Sequence, residues 1–211
     1  MSRVQPFTNH YRPIDDAQTP PSGNGSRNGN GSGPVQEDAV QTPRSVGLDS
    51  VIDVGHLTPM LARRTIEVVT ERAFHVTDVT EDCLSLLADS GIQEGVLSVF
   101  SEHTTCAVKI NERETCFLED LRLFMEQLVP QAAYYRHDDF EIRDPETLAG
   151  PPEDEPVNGH SHIKQMLLGC ASETVPVVDG RLLLGRWQRI MFIELDQSRE
   201  RCVHLQVQGW R

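Results

Sequence analysis

Hydrophobic and polar positions follow two different periods along this chain, and each change of period predicts an element. Ile66, Val68 and Val69 within Ala62–Thr70 predict a first strand. From Thr77 to Ser90 the period lengthens to that of a helix. Val79, Cys83, Leu86 and Leu87 share one face, Asp78 and Glu81 have capping-box spacing, and Gly91 supplies the stop. Gly95–Phe100 and Cys106–Ile110 are short apolar strands. Asn111 is then placed to cap a second helix, with Glu114 three residues on and a stripe of Phe117, Leu121, Phe124 and Leu128 that predicts a buried face; Pro130 ends it. Asp138–Val157 is acidic, Pro-rich and aperiodic, as expected of a disordered loop or a lid. A third, short helix with a polar, histidine-bearing start follows at Asn158–Leu168, closed by Gly169. Asp179-Gly180, between the apolar runs Glu173–Val178 and Arg181–Leu184, suits a type I′ hairpin turn. Leu182–Leu195 reads as one long strand or as two broken at Gly185, and Arg201–Val207 as the last. Several antiparallel strands with three interspersed helices predict an α+β domain over residues 56–211, not a βαβ repeat. Residues 1–55 form a polar, Gly-rich tail with too little to bury, so disorder is expected there.

Composition sharpens this picture in two places. The net charge is −13; the first 50 residues hold four basic and five acidic residues, so the acidity belongs to the predicted domain. That argues against nucleic acid as a partner, because phosphate neutralisation needs basic residues. The five cysteines form no C-x-x-C pair and are odd in number, which predicts thiols in a reducing cytosol. There is no apolar run of membrane-spanning length and no signal-peptide core, so a cytoplasmic protein without a membrane partner is expected.

The chain carries no Gly-rich phosphate loop, no H-E-x-x-H, no G-x-S-x-G and no zinc-deaminase signature. What remains is a set of histidines at element ends: His103 after a strand, His137 at the start of the acidic loop, His162 entering the third helix. Imidazoles so placed can ligate a divalent metal with an open position, or serve as ordinary surface and cap histidines. In a helix His160 and His162 lie about 200° apart and cannot face one metal. His162, one turn before Met166, is expected on the side approaching the core, and His160, beside Lys164, on the more exposed side. Thr104, Thr105, Lys164 and Arg199 could hold an anion, helped by free N–H groups at the start of the histidine helix. Glu194 and Asp196 share one strand face with Gln188 and could ligate a metal, orient a histidine or sit in solvent. Cys106 lies near His103, but strand geometry sends the two to opposite faces.

The ordered series His103-Thr-Thr105, Ile110-Asn-Glu112, Tyr135-Arg-His137, Asn158-Gly-His-Ser-His-Ile-Lys164, Leu184-Gly-Arg-Trp-Gln188, Glu194-Leu-Asp196 and Arg199-Glu-Arg201 resembles the YjbQ-like family of secondary thiamine-phosphate synthase enzymes. The resemblance implies an α+β fold around an antiparallel β-sandwich, a homotrimer, and a site lined by His103, His137 and His162, with Asn111, Asn158, Gln188, Glu194 and Asp196 also matching. It further implies a divalent metal, zinc before magnesium, a phosphorylated small molecule as partner, and formation of thiamine phosphate, possible as a side activity. The alternative is a non-catalytic trimeric module that binds a metal or a phosphorylated metabolite. The chain departs from the family at Arg113, at Gln197-Ser198 and in its longer acidic loop.

Overall fold

A computed structural model of the chain describes residues 52–211. All but the last four residues of the expected tail, with His10, lie outside the described residues. Eight strands form two antiparallel sheets. The larger has the order β1 (Pro59–Val69), β8 (Glu200–Trp210), β3 (Glu94–Ser101), β5 (Ser172–Val178) and β6 (Arg181–Leu182); the smaller has the order β2 (His75–Asp78), β7 (Gln188–Glu194), β4 (Cys106–Glu112). Three helices complete the fold: α1 (Thr80–Ser90), α2 (Thr115–Leu128) and α3 (Gly159–Leu168). The architecture is thus α+β with antiparallel sheets and three helices, as the apolar pattern predicts. Among the described residues no helix is long and apolar enough to cross a membrane.

Strand alternation builds two cores. In β7, Ile190 and Phe192 turn toward the larger sheet, where they meet Val203, Leu205 and Val207 of β8 and Val79, Cys83, Leu86 and Leu87 beside and along α1. Ile193 points the other way and joins Ala107, Phe74, Leu195 and Met125 of α2. Two buried positions on the inward rows of β7 and β8 are charged: Glu194 ends the row of β7, and Arg201 begins that of β8. They meet at the edge of the main core.

Several boundaries differ from expectation for visible reasons. Asp78 belongs to β2, so α1 starts at Thr80; the Asp78 carboxylate still accepts from the Thr80 N–H at 2.9 Å, but Glu81 turns to Arg189 rather than back to close a capping box. Asn111 lies within β4, and Glu114 caps α2 instead, accepting from the N–H groups of Cys116 and Phe117 at 2.8 and 2.7 Å. The expected buried stripe of α2 is largely uncovered in the single chain: Met125 is its buried residue, while Phe124 and Leu128 are 61% and 55% exposed. The Asp179-Gly180 hairpin forms as expected, with both residues at positive φ, 49° and 69°. The long strand is broken: β6 ends at Leu182 and β7 begins at Gln188.

Candidate functional site

The start of α3 is held by an unusual set of contacts. Asn158 occupies the cap position, where asparagine ordinarily bonds the first helical N–H groups, yet its side chain makes no such bond. Asp138 does that work from outside the helix: its Oδ1 accepts from the N–H groups of Asn158 and Gly159 at 3.0 and 2.8 Å. The same oxygen lies 2.9 Å from His137 Nδ1. Gly159 allows the approach, because a Cβ there would lie 2.8 Å from Tyr135 Cβ and 3.1 Å from His137 Cβ. The expected free N–H groups at this helix start therefore already hold an anion, the Asp138 carboxylate. Burial alone would push that carboxyl up; its bonds from His137, Gly159 and Asn158 together outweigh this and lower it.

Docking of Tyr135–Asp138 against α3 brings the His137 and His162 rings to a centroid distance of 4.6 Å. Both line a cavity of about 290 Å³ with His103, Thr104, Thr105, Asn158, Asp196 and Arg199. Eight of the residues singled out in the sequence thus converge. A larger apolar groove of about 820 Å³ runs past Met60, Val96 and Trp210, but its lining has no histidine or arginine. The candidate groups lie in the smaller cavity.

Four other candidates sit elsewhere. Lys164 is buried at 2% exposure and pairs with Glu126 of α2 at 2.9 Å, so it holds no anion in the cavity. Asn111 and Gln188 lie at the far end of the β4–β7 ladder from the Cys106–Glu194 pair, about 20 Å away at the usual strand rise. Glu194 is fully buried behind the cavity wall. Its carboxylate takes Arg201 Nε at 2.6 Å and the second guanidinium nitrogen at 3.1 Å, and Oε1 also accepts from the Asp196 N–H at 2.9 Å. Glu194 therefore orients Asp196 rather than facing a ligand.

The faces of α3 are reversed from the helical-wheel expectation. Gly159, His160, Ser161 and Lys164 are buried, while Met166 is 77% exposed. Ser161 donates its hydroxyl to the Leu195 carbonyl at 2.8 Å, so the His160 Nδ1 at 2.6 Å must donate to Ser161. His160 is thus a buried anchor, and His162 reaches the cavity from the opposite face. Burial lowers the His162 pKa, and the neighbouring His137 lowers it further.

The acidic loop is an ordered wall. Three single-turn 3-10 segments, Arg136–Asp138, Pro145–Thr147 and Pro152–Asp154, shape it. Arg143 ties it together, donating to the Thr147 carbonyl at 2.9 Å and the Thr147 hydroxyl at 3.2 Å and lying 3.7 Å from Glu155. Glu102, Arg143, Glu155, Pro156 and Arg201 all line the cavity without having been singled out in the sequence. Arg201 had a readable signal, as a lone charge on the inward row of an otherwise apolar strand.

The three-histidine metal set does not assemble. His103 Nε2 accepts the Cys202 N–H at 3.1 Å, which commits that lone pair and leaves the ring proton on Nδ1 in the neutral form. Among the described residues no three His, Cys, Asp or Glu side chains are grouped to hold an ion. Among these residues His137 and His162 pair at the cavity, while His103 has one ring nitrogen already bonded, which is short of the three-histidine set expected for zinc or magnesium. Burial lowers the His103 pKa, with Arg201 adding to it. Burial and then Glu194 push the Cys106 thiol up to about 12, which removes it as a nucleophile.

Comparison with known proteins gives the family and the fold. The family model described as UPF0047 protein YjbQ-like matches residues 64–210. The chain belongs to the UPF0047 family. A UPF0047 protein of Methanothermobacter thermautotrophicus is 38% identical over 140 residues, covering 66% of this chain and 87% of the relative. The Bacillus subtilis UPF0047 protein YugU is 29% identical over 148 residues, covering 69% and 98%. A YbjQ-like protein of unknown function from Sulfolobus solfataricus superposes with a TM-score of 0.62 at 27% identity, over 72% of this chain and 99% of its own. A hypothetical protein from Aeropyrum pernix gives 0.59 at 36% identity, over 70% and 98%.

The Glu194–Arg201 pair carries a direct stability prediction. Glu194→Gln leaves the Arg201 charge buried without its counter-ion, and urea unfolding is expected to show a loss of about 3 kcal/mol. A loss under about 1 kcal/mol would show that the pair is not what joins the sheets at this edge.

Proposed function

We propose that this UPF0047 chain is an enzyme that binds a small phosphorylated or otherwise oxyanionic metabolite in the His162 cavity and transfers a proton at it. The observation that carries the reading is the His137–His162 pair, fixed from behind by Asp138. With Nδ1 facing a carboxylate, the neutral His137 ring carries its proton there and presents Nε2 as a base. Burial and the neighbouring His137 ring both disfavour protonation of His162, which keeps it a proton acceptor. That is the state in which an imidazole serves as a general base. Arg199 supports the anion: it lines the cavity, and its Nε–H has no partner among the described residues. Formation of thiamine phosphate, which the resemblance implies, would use the same oxyanion grip: the ring nitrogen of a thiazole phosphate would form the new bond to a carbon of the pyrimidine partner while a phosphate-type leaving group departs from that carbon with its electron pair.

The uncovered face of α2 supports assembly with further copies of the chain. Leu123, Phe124 and Leu128 of α2 and Met166 and Leu167 of α3 are exposed aliphatic and aromatic groups on neighbouring helices joined by the Lys164–Glu126 pair. A homotrimer is the form the resemblance implies. Sedimentation velocity is expected to show a species of three times the 23.7 kDa chain, converted to single chains by Phe124→Asp. A wild-type protein that sediments as one chain would refute the assembly.

A turnover screen across phosphorylated small molecules tests the enzyme reading. For a substrate so found, His162→Asn is expected to lower kcat by about 10²–10⁴-fold, the usual contribution of a proton-transfer group. Because the His162 pKa lies below the ordinary 6.5, the base is already free at neutral pH, and rates are expected to fall only on acidification below that value. Full activity of the His162→Asn protein would overturn the assignment.

A further inference from the structure

Among the described residues three buried side-chain nitrogen or oxygen atoms have no hydrogen-bond partner: Thr77 Oγ1, Asn158 Oδ1 and Arg199 Nε. Two of the three belong to the wall of the same cavity. They are linked through one atom, since Asn158 Nδ2 and an Arg199 terminal nitrogen both donate to Asp196 Oδ2, at 3.0 and 2.9 Å. Buried polar groups in folded proteins are nearly always paired, and an unmade bond is costly. Two such atoms joined at one carboxylate therefore mark a place where a ligand completes the bonding.

The chemistry of the two atoms is unambiguous. Arg199 Nε is a donor in every state. The Asn158 amide could in principle be turned over, but that would set its oxygen against the Asp196 carboxylate, two acceptors facing each other. The spare Asn158 atom is therefore an acceptor. Its side chain is also released from the ordinary duty of its position, because Asp138 caps α3 in its place. Asp196 thus holds together two cavity-lining residues, one with an unbonded donor and one with an unbonded acceptor among the described residues. The dianion of an unsubstituted alkyl phosphate satisfies only the donor, since it has no proton to offer Asn158.

We infer that Asn158 and Arg199 form a specificity pair that selects phosphorylated compounds bearing a hydroxyl or amino donor close to the phosphate over unsubstituted alkyl phosphates. Arg199 grips the oxyanion and Asn158 reads the neighbouring donor. The inference rests on the proposed oxyanion function of the cavity and narrows its substrate class.

Isothermal titration of the full chain with matched probes tests it: 1-propyl phosphate, which lacks the donor, against glycerol 3-phosphate and O-phosphoethanolamine, which carry it. The wild type is expected to bind at least one donor-bearing probe on the order of 10-fold or more tighter than propyl phosphate, as sites built to bond a ligand hydroxyl discriminate against analogues without it. Asn158→Ala is expected to bring that probe down to the affinity of propyl phosphate. Arg199→Lys, which removes the Nε–H but keeps the charge, is expected to weaken all three alike and leave the preference in place. Equal binding of the probes by the wild type would overturn the inference while leaving the oxyanion reading standing. A preference that survives Asn158→Ala would also overturn it. Failure of every phosphate probe to bind would overturn both. Should Asn158→Ala fail to fold, the wild-type comparison and the Arg199→Lys pattern decide.

Discussion

The ion pair between Glu194 and Arg201 is the constraint on which the site depends. Strand alternation places each at the end of an inward row, Ile190–Phe192–Glu194 on β7 and Arg201–Val203–Leu205–Val207 on β8. Neither charge can sit there alone, because an unpaired ion in a nonpolar interior is strongly disfavoured. Each fixes the other, and so fixes one sheet on the other at this edge. The pair has further partners: Arg201 also donates to the Thr105 hydroxyl at 3.2 Å, and Cys106 Sγ lies 3.5 Å from Glu194 Oε2. Through the Asp196 N–H the same carboxylate orients the chain that leaves β7.

From there a relay of polar contacts reaches the cavity. Asp196 holds the Asn158 amide and the Arg199 guanidinium. Asp138, from the opposite side, holds the backbone at the start of α3 and one ring nitrogen of His137. Two carboxylates thus clamp the N-terminus of α3 between β7 and the Tyr135–Asp138 turn, and His162 is delivered next to His137 as a result. Preorganisation of this kind suits a site in which bound groups, not moving ones, set the geometry. The acidic loop extends the same logic, because Arg143 and Glu155 give it internal bonds in place of periodic structure.

Much of this was legible before the fold was known, and the limits are physical. Strand parity put Gln188, Glu194 and Asp196 on one face, but β7 ends at Glu194 and Asp196 lies beyond it, and parity carries no information on which end of a strand meets the site; the Glu112–Gln188 pairing in the β4–β7 ladder separates Gln188 from the cavity. The α3 wheel correctly sent His160 and His162 apart but assigned the wrong face to the core. The apolar Met166 and Leu167 face outward here, while Lys164 turns inward to an ion pair that no local pattern reveals. Asp138 went unnoticed because its role depends on Gly159, 21 residues away, permitting a close approach. The histidine trio was found as residues lining one cavity, but no local pattern reveals the long-range bond from the Cys202 N–H that occupies His103 Nε2.

The central claim is that the cavity joins oxyanion binding to a histidine proton site. The most direct measurement is NMR titration of the His162 ring with pH, in the free protein and with saturating inorganic phosphate. The account predicts a His162 pKa below the ordinary 6.5 in the free protein. It predicts a rise when phosphate binds, because a nearby anion favours the imidazolium form. A His162 titration that phosphate leaves unmoved would contradict the account.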